Sequence, residues 1–86
     1  MKSSAPGENI SEVEVTNISG HGIWLYVRGT EHFLSYEDFP WFRDQSVRAI
    51  SHVEEPSTGH FFWPEIDVDL SEEIIRRPDR YPLAAR

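Results

Sequence analysis

Short runs of alternating apolar and polar residues, cut apart every few positions by glycine or proline, set the strongest limit on how this chain folds. A side chain on the same face at every second residue is the period of a β-strand, and no stretch sustains a helical period for long. In SEVEVT, Val13 and Val15 face one way while Glu12, Glu14 and Thr16 face the other, as in a strand with one wet face. NISGHG supplies a turn. IWLYVR follows, with Ile23, Leu25 and Val27 on one side and Trp24, Tyr26 and Arg28 on the other. A turn around Gly29 and Thr30 leads into EHFLSY, a third strand. Three short strands joined by tight turns predict an antiparallel meander.

YEDFPWFRDQ breaks the alternation and reads as one or two helical turns. Asp38 is its candidate N-cap, Pro40 suits only a first turn, and Phe39 and Phe42 are expected to pack onto the sheet. SVRAISHVEE resumes strand character through Val47, Ala49, Ser51 and Val53; PSTG reads as a turn and HFFW as the returning strand of a hairpin. Pro64 cannot donate to a ladder, so HFFWPEIDVDL reads as a core strand that leaves the sheet there and runs on along its edge. Ser71 is placed to cap a short helix whose Glu72 and Glu73 are spaced to pair with Arg76 and Arg77, and Pro78 ends it. The expected fold is α+β, a small single domain with an antiparallel sheet of about five short strands and one or two short helices. The expected boundaries are a flexible N-terminal lead-in over residues 1–9, the domain over 10–77, and an extended basic tail over 78–86.

Composition narrows the function classes. The chain has no cysteine, which removes disulfides, thiolate nucleophiles and cysteine-based zinc sites and fits a reducing compartment. It has no run resembling a signal peptide or a membrane span, so a cytoplasmic protein without membrane contact is expected. Residues 1–75 carry 14 acidic side chains against four basic ones, while residues 76–86 carry four arginines against Asp79. An acidic body disfavours phosphate binding, so no specific duplex nucleic acid is expected as a partner.

Chemical motifs are scarce. His21, His32, His52 and His60 are scattered singly, and GHG at 20–22 lacks the third glycine of a dinucleotide loop. Asp67 and Asp69, two apart on a strand, would share a face, but a calcium loop starting there would need a glycine and an acid where Glu72 and Pro78 stand. A solvated strand face is the better reading of that pair, with no metal and no cofactor expected. Nothing resembles a nucleophile elbow, and an enzyme is not expected. What remains is an aromatic set, 11 of 86 residues, that serves either to fill a small core or to face a partner.

FPWFRD at 39–44 and WPEIDVDL at 63–70, with the chain's length and its RYPL ending, make the sequence resemble a small bacterial family catalogued as domain of unknown function 2442. The resemblance runs from about Ile10 to Pro82; Trp63, Pro64, Asp67 and Asp69 match the family's tryptophan–proline pair followed by acid, aliphatic, acid. It implies a small α+β protein with no assigned activity and no catalytic residues to carry over. It also implies a gene arrangement like that of a toxin–antitoxin pair. The leading expectation is a protein-interaction module, the antitoxin-like member of such a pair, with a protein partner or a homodimer as its assembly. Trp41, Trp63, Pro64, Asp67, Asp69, Arg76 and Arg77 are its candidate interaction residues. The alternatives are a nucleic-acid-associated regulator using the arginine-rich tail, and a small-ligand or metal-binding domain.

Overall fold

In the computed structural model, which describes residues 12–80, the first three strands form the expected meander: β1 (Val13–Ile18), β2 (Gly22–Val27) and β3 (Thr30–Ser35), in the order β1-β2-β3. Val27 pairs with Thr30, so the β2–β3 loop has two residues, Arg28 and Gly29, with φ of 41° and 94°. Positive φ at both central positions is the mark of a type I′ turn, whose twist matches that of paired strands. Between Val15 and Asn17 the β1–β2 register shifts by a bulge, which adds local twist. Ile23, Leu25, Val27 and Leu34 point to the core.

The connection that follows is partly as expected. A 3-10 turn over Pro40–Phe42 buries Phe39 and Phe42. Asp38 does not cap it. The Asp38 N–H donates to Ser35 Oγ at 3.1 Å and its carboxylate accepts from the same hydroxyl at 3.2 Å, so the acid closes the end of β3 instead.

SVRAIS is helix, not strand: α1 spans Val47–Ser51. The Ser46 hydroxyl accepts the Ala49 N–H at 3.0 Å, an N-cap that offers this short segment a partner strand pairing would not. The turn buries the consecutive residues Ala49 and Ile50 together and leaves Val47 67% exposed, a division that no alternating strand could make. The expected PSTG turn is also displaced. β4 (Glu54–Ser57) carries Pro56 and pairs with β5 (His60–Trp63) alone, which makes it an edge, where a residue without an N–H is tolerated.

HFFWPEIDVDL does not continue along an edge. It is a hairpin: β6 (Val68–Ser71) turns back on β5, with Trp63 opposite Val68 and His60 opposite Ser71. Ile66 N–H donates to the Trp63 carbonyl at 3.3 Å, so Pro64 takes the second position of the turn, where its fixed φ is suited. Asp67 completes the reversal at φ +56°, a left-handed conformation that Asp tolerates better than most residues. The architecture is therefore α+β, with six strands in two three-stranded antiparallel sheets where about five in one sheet were expected.

Ser71 caps α2 (Glu72–Arg76) as expected, its hydroxyl accepting the Ile74 N–H at 3.2 Å. A second 3-10 turn over Pro78–Arg80 stands where the extended tail was expected to begin. The lead-in over 1–9 and the rest of that tail lie outside the described residues.

One core serves both sheets. Trp63 is fully buried in it, T-shaped against Phe42 with ring centroids 4.8 Å apart. Its indole N–H donates to the Ile50 carbonyl at 2.8 Å. A five-residue helix leaves carbonyls unpaired at its end, and Trp63 satisfies one of them from the opposite sheet. Trp63→Ala should therefore cost about 3–5 kcal/mol, a large share of a small domain's stability. Trp63→Phe should still cost about 1–3 kcal/mol because the Ile50 carbonyl is left unsatisfied. Urea unfolding measures both; a phenylalanine variant as stable as the parent would show that this hydrogen bond contributes nothing.

Candidate functional site

The same alternation that buries Ile23, Leu25 and Val27 sends Trp24 and Tyr26 to the outer face of the first sheet. Pairing then decides their neighbours. Trp24 lies opposite Phe33 on β3 and Asn17 on β1; Tyr26 lies opposite Glu31 on β3 and Glu14 on β1. The face thus carries two cross-strand rows, Asn17–Trp24–Phe33 and Glu14–Tyr26–Glu31. Trp24 and Phe33 touch as a tilted pair, with ring centroids 5.0 Å apart. Three large apolar side chains are exposed among the described residues, and two of them, Phe33 at 40% and Tyr26 at 37%, are on this face. Thr16 on β1 donates its hydroxyl to Glu31 Oε2 at 3.0 Å, spanning β2.

Gly22, which the sequence presents as part of a turn, opens β2 beneath the Phe33 ring. A Cβ there would stand 2.3 Å from the Leu34 carbonyl oxygen and 2.8 Å from Phe33 Cζ, so only glycine fits. From Phe33 the surface dips into an open recess of about 340 Å³, lined by Gly20, His21, Ser35, Tyr36, Glu37 and Arg43. Tyr36 is held there by its hydroxyl, which donates to the Ser19 carbonyl at 2.8 Å, and the Arg43 guanidinium sits 5.6 Å over its ring.

The residues singled out from the sequence are spread over several elements. Trp63 lies in the core; Pro64 and Asp67 form the β5–β6 turn and exposed Asp69 stands on β6 opposite Phe62. Trp41 is half-buried against Phe39, and Arg76 and Arg77 are exposed at the end of α2. One hairpin carries Trp63, Pro64, Asp67 and Asp69, while Trp41 stands on the 3-10 turn and the arginines at the end of α2. With Asp67 in the turn, the two aspartates do not share a strand face. No group of three or more His, Asp or Glu side chains suited to a metal ion occurs among the described residues.

Two charged contacts tie the sheets and turns together. Arg28 grips Glu55 with both guanidinium arms, at 2.9 and 2.8 Å, and Glu55 also accepts the Gly59 N–H at 2.9 Å. The guanidinium, and then the Gly59 N–H, hold the Glu55 carboxyl below its ordinary value, while Glu55 raises Arg28 further. His52, just past α1, lies 3.0 Å from Glu65 through Nδ1 and 3.1 Å from Glu54 through Nε2. The Glu65 carboxylate, followed by that of Glu54, raises His52 above the ordinary 6.5. A raised histidine adds stability that is complete below the unfolded value and is lost as pH rises through the folded one. Unfolding midpoints in urea should therefore fall as pH rises above about 6.5, by an increment that His52→Gln abolishes. An unchanged slope in that variant would assign the pH dependence to other groups.

No helix among the described residues is long and apolar enough to cross a membrane. The model of a family described as protein of unknown function (DUF2442) matches residues 12–81. No curated protein and no solved structure matches the chain.

Proposed function

The chain belongs to the DUF2442 family, and from that premise we propose that it is a non-enzymatic, cytosolic protein-interaction module that docks a partner on the outer face of β1–β3. One observation carries the reading: Tyr26 and Phe33 stand exposed beside Trp24 on a single sheet face. Aromatic rings are the side chains most enriched at the anchoring centres of interfaces, because each removes a large apolar area from water while freezing few rotors. A hydrogen-bonded sheet presents them already ordered, so little conformational entropy is lost on docking. An antitoxin-like pairing with a small protein is one form of this reading. The absence of cysteine supports the cytosolic assignment.

The double variant Tyr26→Ser, Phe33→Ser removes the anchors without touching the core. It should unfold within about 1–2 kcal/mol of the parent, since both rings are partly solvated already. It should also fail to capture the protein that the parent captures from extracts of the native host. Val47→Ser, exposed but on α1, is the control and should capture normally. Retention of the partner by the double variant, or no capture by the parent, would contradict the proposal.

A further inference from the structure

We propose that the partner presents a cationic side chain, arginine above all, seated over Tyr26 within reach of Glu14 and Glu31, with an apolar side chain beside it on Trp24 and Phe33. This rests on the reading of the outer face as the docking surface and names the chemistry of what docks.

The row geometry is the first ground. Glu14 and Glu31 each pair across strands with Tyr26, and all three are exposed. Paired strands run about 4.8 Å apart, so both acids start beside Tyr26, and the Glu31 carboxylate reaches across β2 to Thr16. A guanidinium that stacks on the ring can donate to either acid, combining a cation–π contact with a charge-assisted hydrogen bond. The Thr16 hydroxyl occupies Glu31 Oε2 and leaves Oε1 to accept from a ligand.

The charge balance of the face is the second ground. Neither row contains a cation, and no ion pair to Glu14 or Glu31 forms among the described residues. Arginines on the β2–β3 loop and beside the recess are engaged elsewhere. Arg28, at the hairpin tip, is held by both oxygens of Glu55, and Arg43, in the recess, lies over Tyr36. The face therefore complements a positive partner, and the net charge of −7 attracts one from a distance. The same carboxylates disfavour a second copy docked face to face. A two-fold contact centred on Tyr26 would set the acidic row of one copy against that of the other.

The spacing between rows fixes the partner's pattern. Tyr26 and Trp24 are two residues apart on one strand, about 6.8 Å, a distance met by positions i and i+2 of an extended segment or i and i+4 of a helix. The partner segment thus carries its cation and its apolar residue at one of those spacings.

Synthetic peptides of one extended sequence test this, with leucine two positions after a residue that is arginine, lysine, citrulline or glutamate. Citrulline keeps the shape of arginine and removes its charge. Binding is followed by amide and aromatic shifts of the isotope-labelled full chain. The arginine peptide should shift resonances of both rows and bind at least about tenfold tighter than the citrulline peptide at low salt. The double variant Glu14→Gln, Glu31→Gln should reduce the arginine peptide to the citrulline level. Equal binding of arginine and citrulline peptides on this face would overturn the cationic seat while leaving the docking surface standing. Shifts confined to other surfaces, or no binding by any peptide, would also overturn it. Light scattering supplies the remaining arm. Self-association that the same glutamate variants abolish would put the arginines of a second copy in the seat, against a separate partner.

Discussion

Everything in this small domain depends on where one indole goes. Trp63 stands at the end of β5, packs edge-to-face with Phe42 and donates its N–H to the Ile50 carbonyl. Those three residues belong to the second sheet, the 3-10 turn and α1, so a single side chain joins the second half of the chain to the connection that leads out of the first. A domain of 86 residues without disulfides has few large side chains with which to close a core. Trp63, Phe39, Phe42 and Phe61 are all spent inside it. Pro64 and Asp67 then reverse the chain immediately beyond Trp63, which brings Val68 and Leu70 back into the same core. The segment that most identifies the sequence is thus a packing and turning device.

With the core closed by those rings, the aromatics of the first sheet are left for another use. Trp24, Tyr26 and Phe33 cannot reach the interior, because Ile23, Leu25, Val27 and Leu34 already fill the inner face of their strands. The strand period forces the choice: a residue next to a buried one must point out. Exposed aromatic side chains on a sheet face offer little to stability in isolation, and this placement is what the proposed docking role rests on. Glu14 and Glu31, in the row next to Trp24 and Phe33, give that surface a sign as well as a shape.

The order and type of the first three strands were legible from period-two alternation and the glycine turns, but the bulge between Val15 and Asn17 and the loop residues Arg28–Gly29, where Gly29 and Thr30 were expected, were not. The second half was harder for identifiable reasons. In SVRAIS a strand pattern and a single helical turn place apolar residues almost alike, and the Ser46 hydroxyl decided between them by capping Ala49. At Pro64 a missing N–H indicates equally a strand end or the second position of a turn. The difference rested on Asp67 accepting a left-handed backbone. Of the proposed docking face, Trp24 and Tyr26 could be read from alternation alone. Phe33, Glu14 and Glu31 required the register, which follows once the β2–β3 loop is known to be Arg28–Gly29. The tryptophan–proline motif drew attention to Trp63 because its type is unusual, and burial accounts for it.

The central claim is this division of the aromatic side chains between one closed core and one open sheet face. Relaxation of aromatic ring protons by a soluble paramagnetic agent, in the isolated full chain at low concentration, tests it most directly. The account requires strong relaxation at Tyr26 and Phe33 and almost none at Trp63 and Phe61. A Phe33 ring as protected as Trp63 would mean that the face is already covered, and would contradict the account.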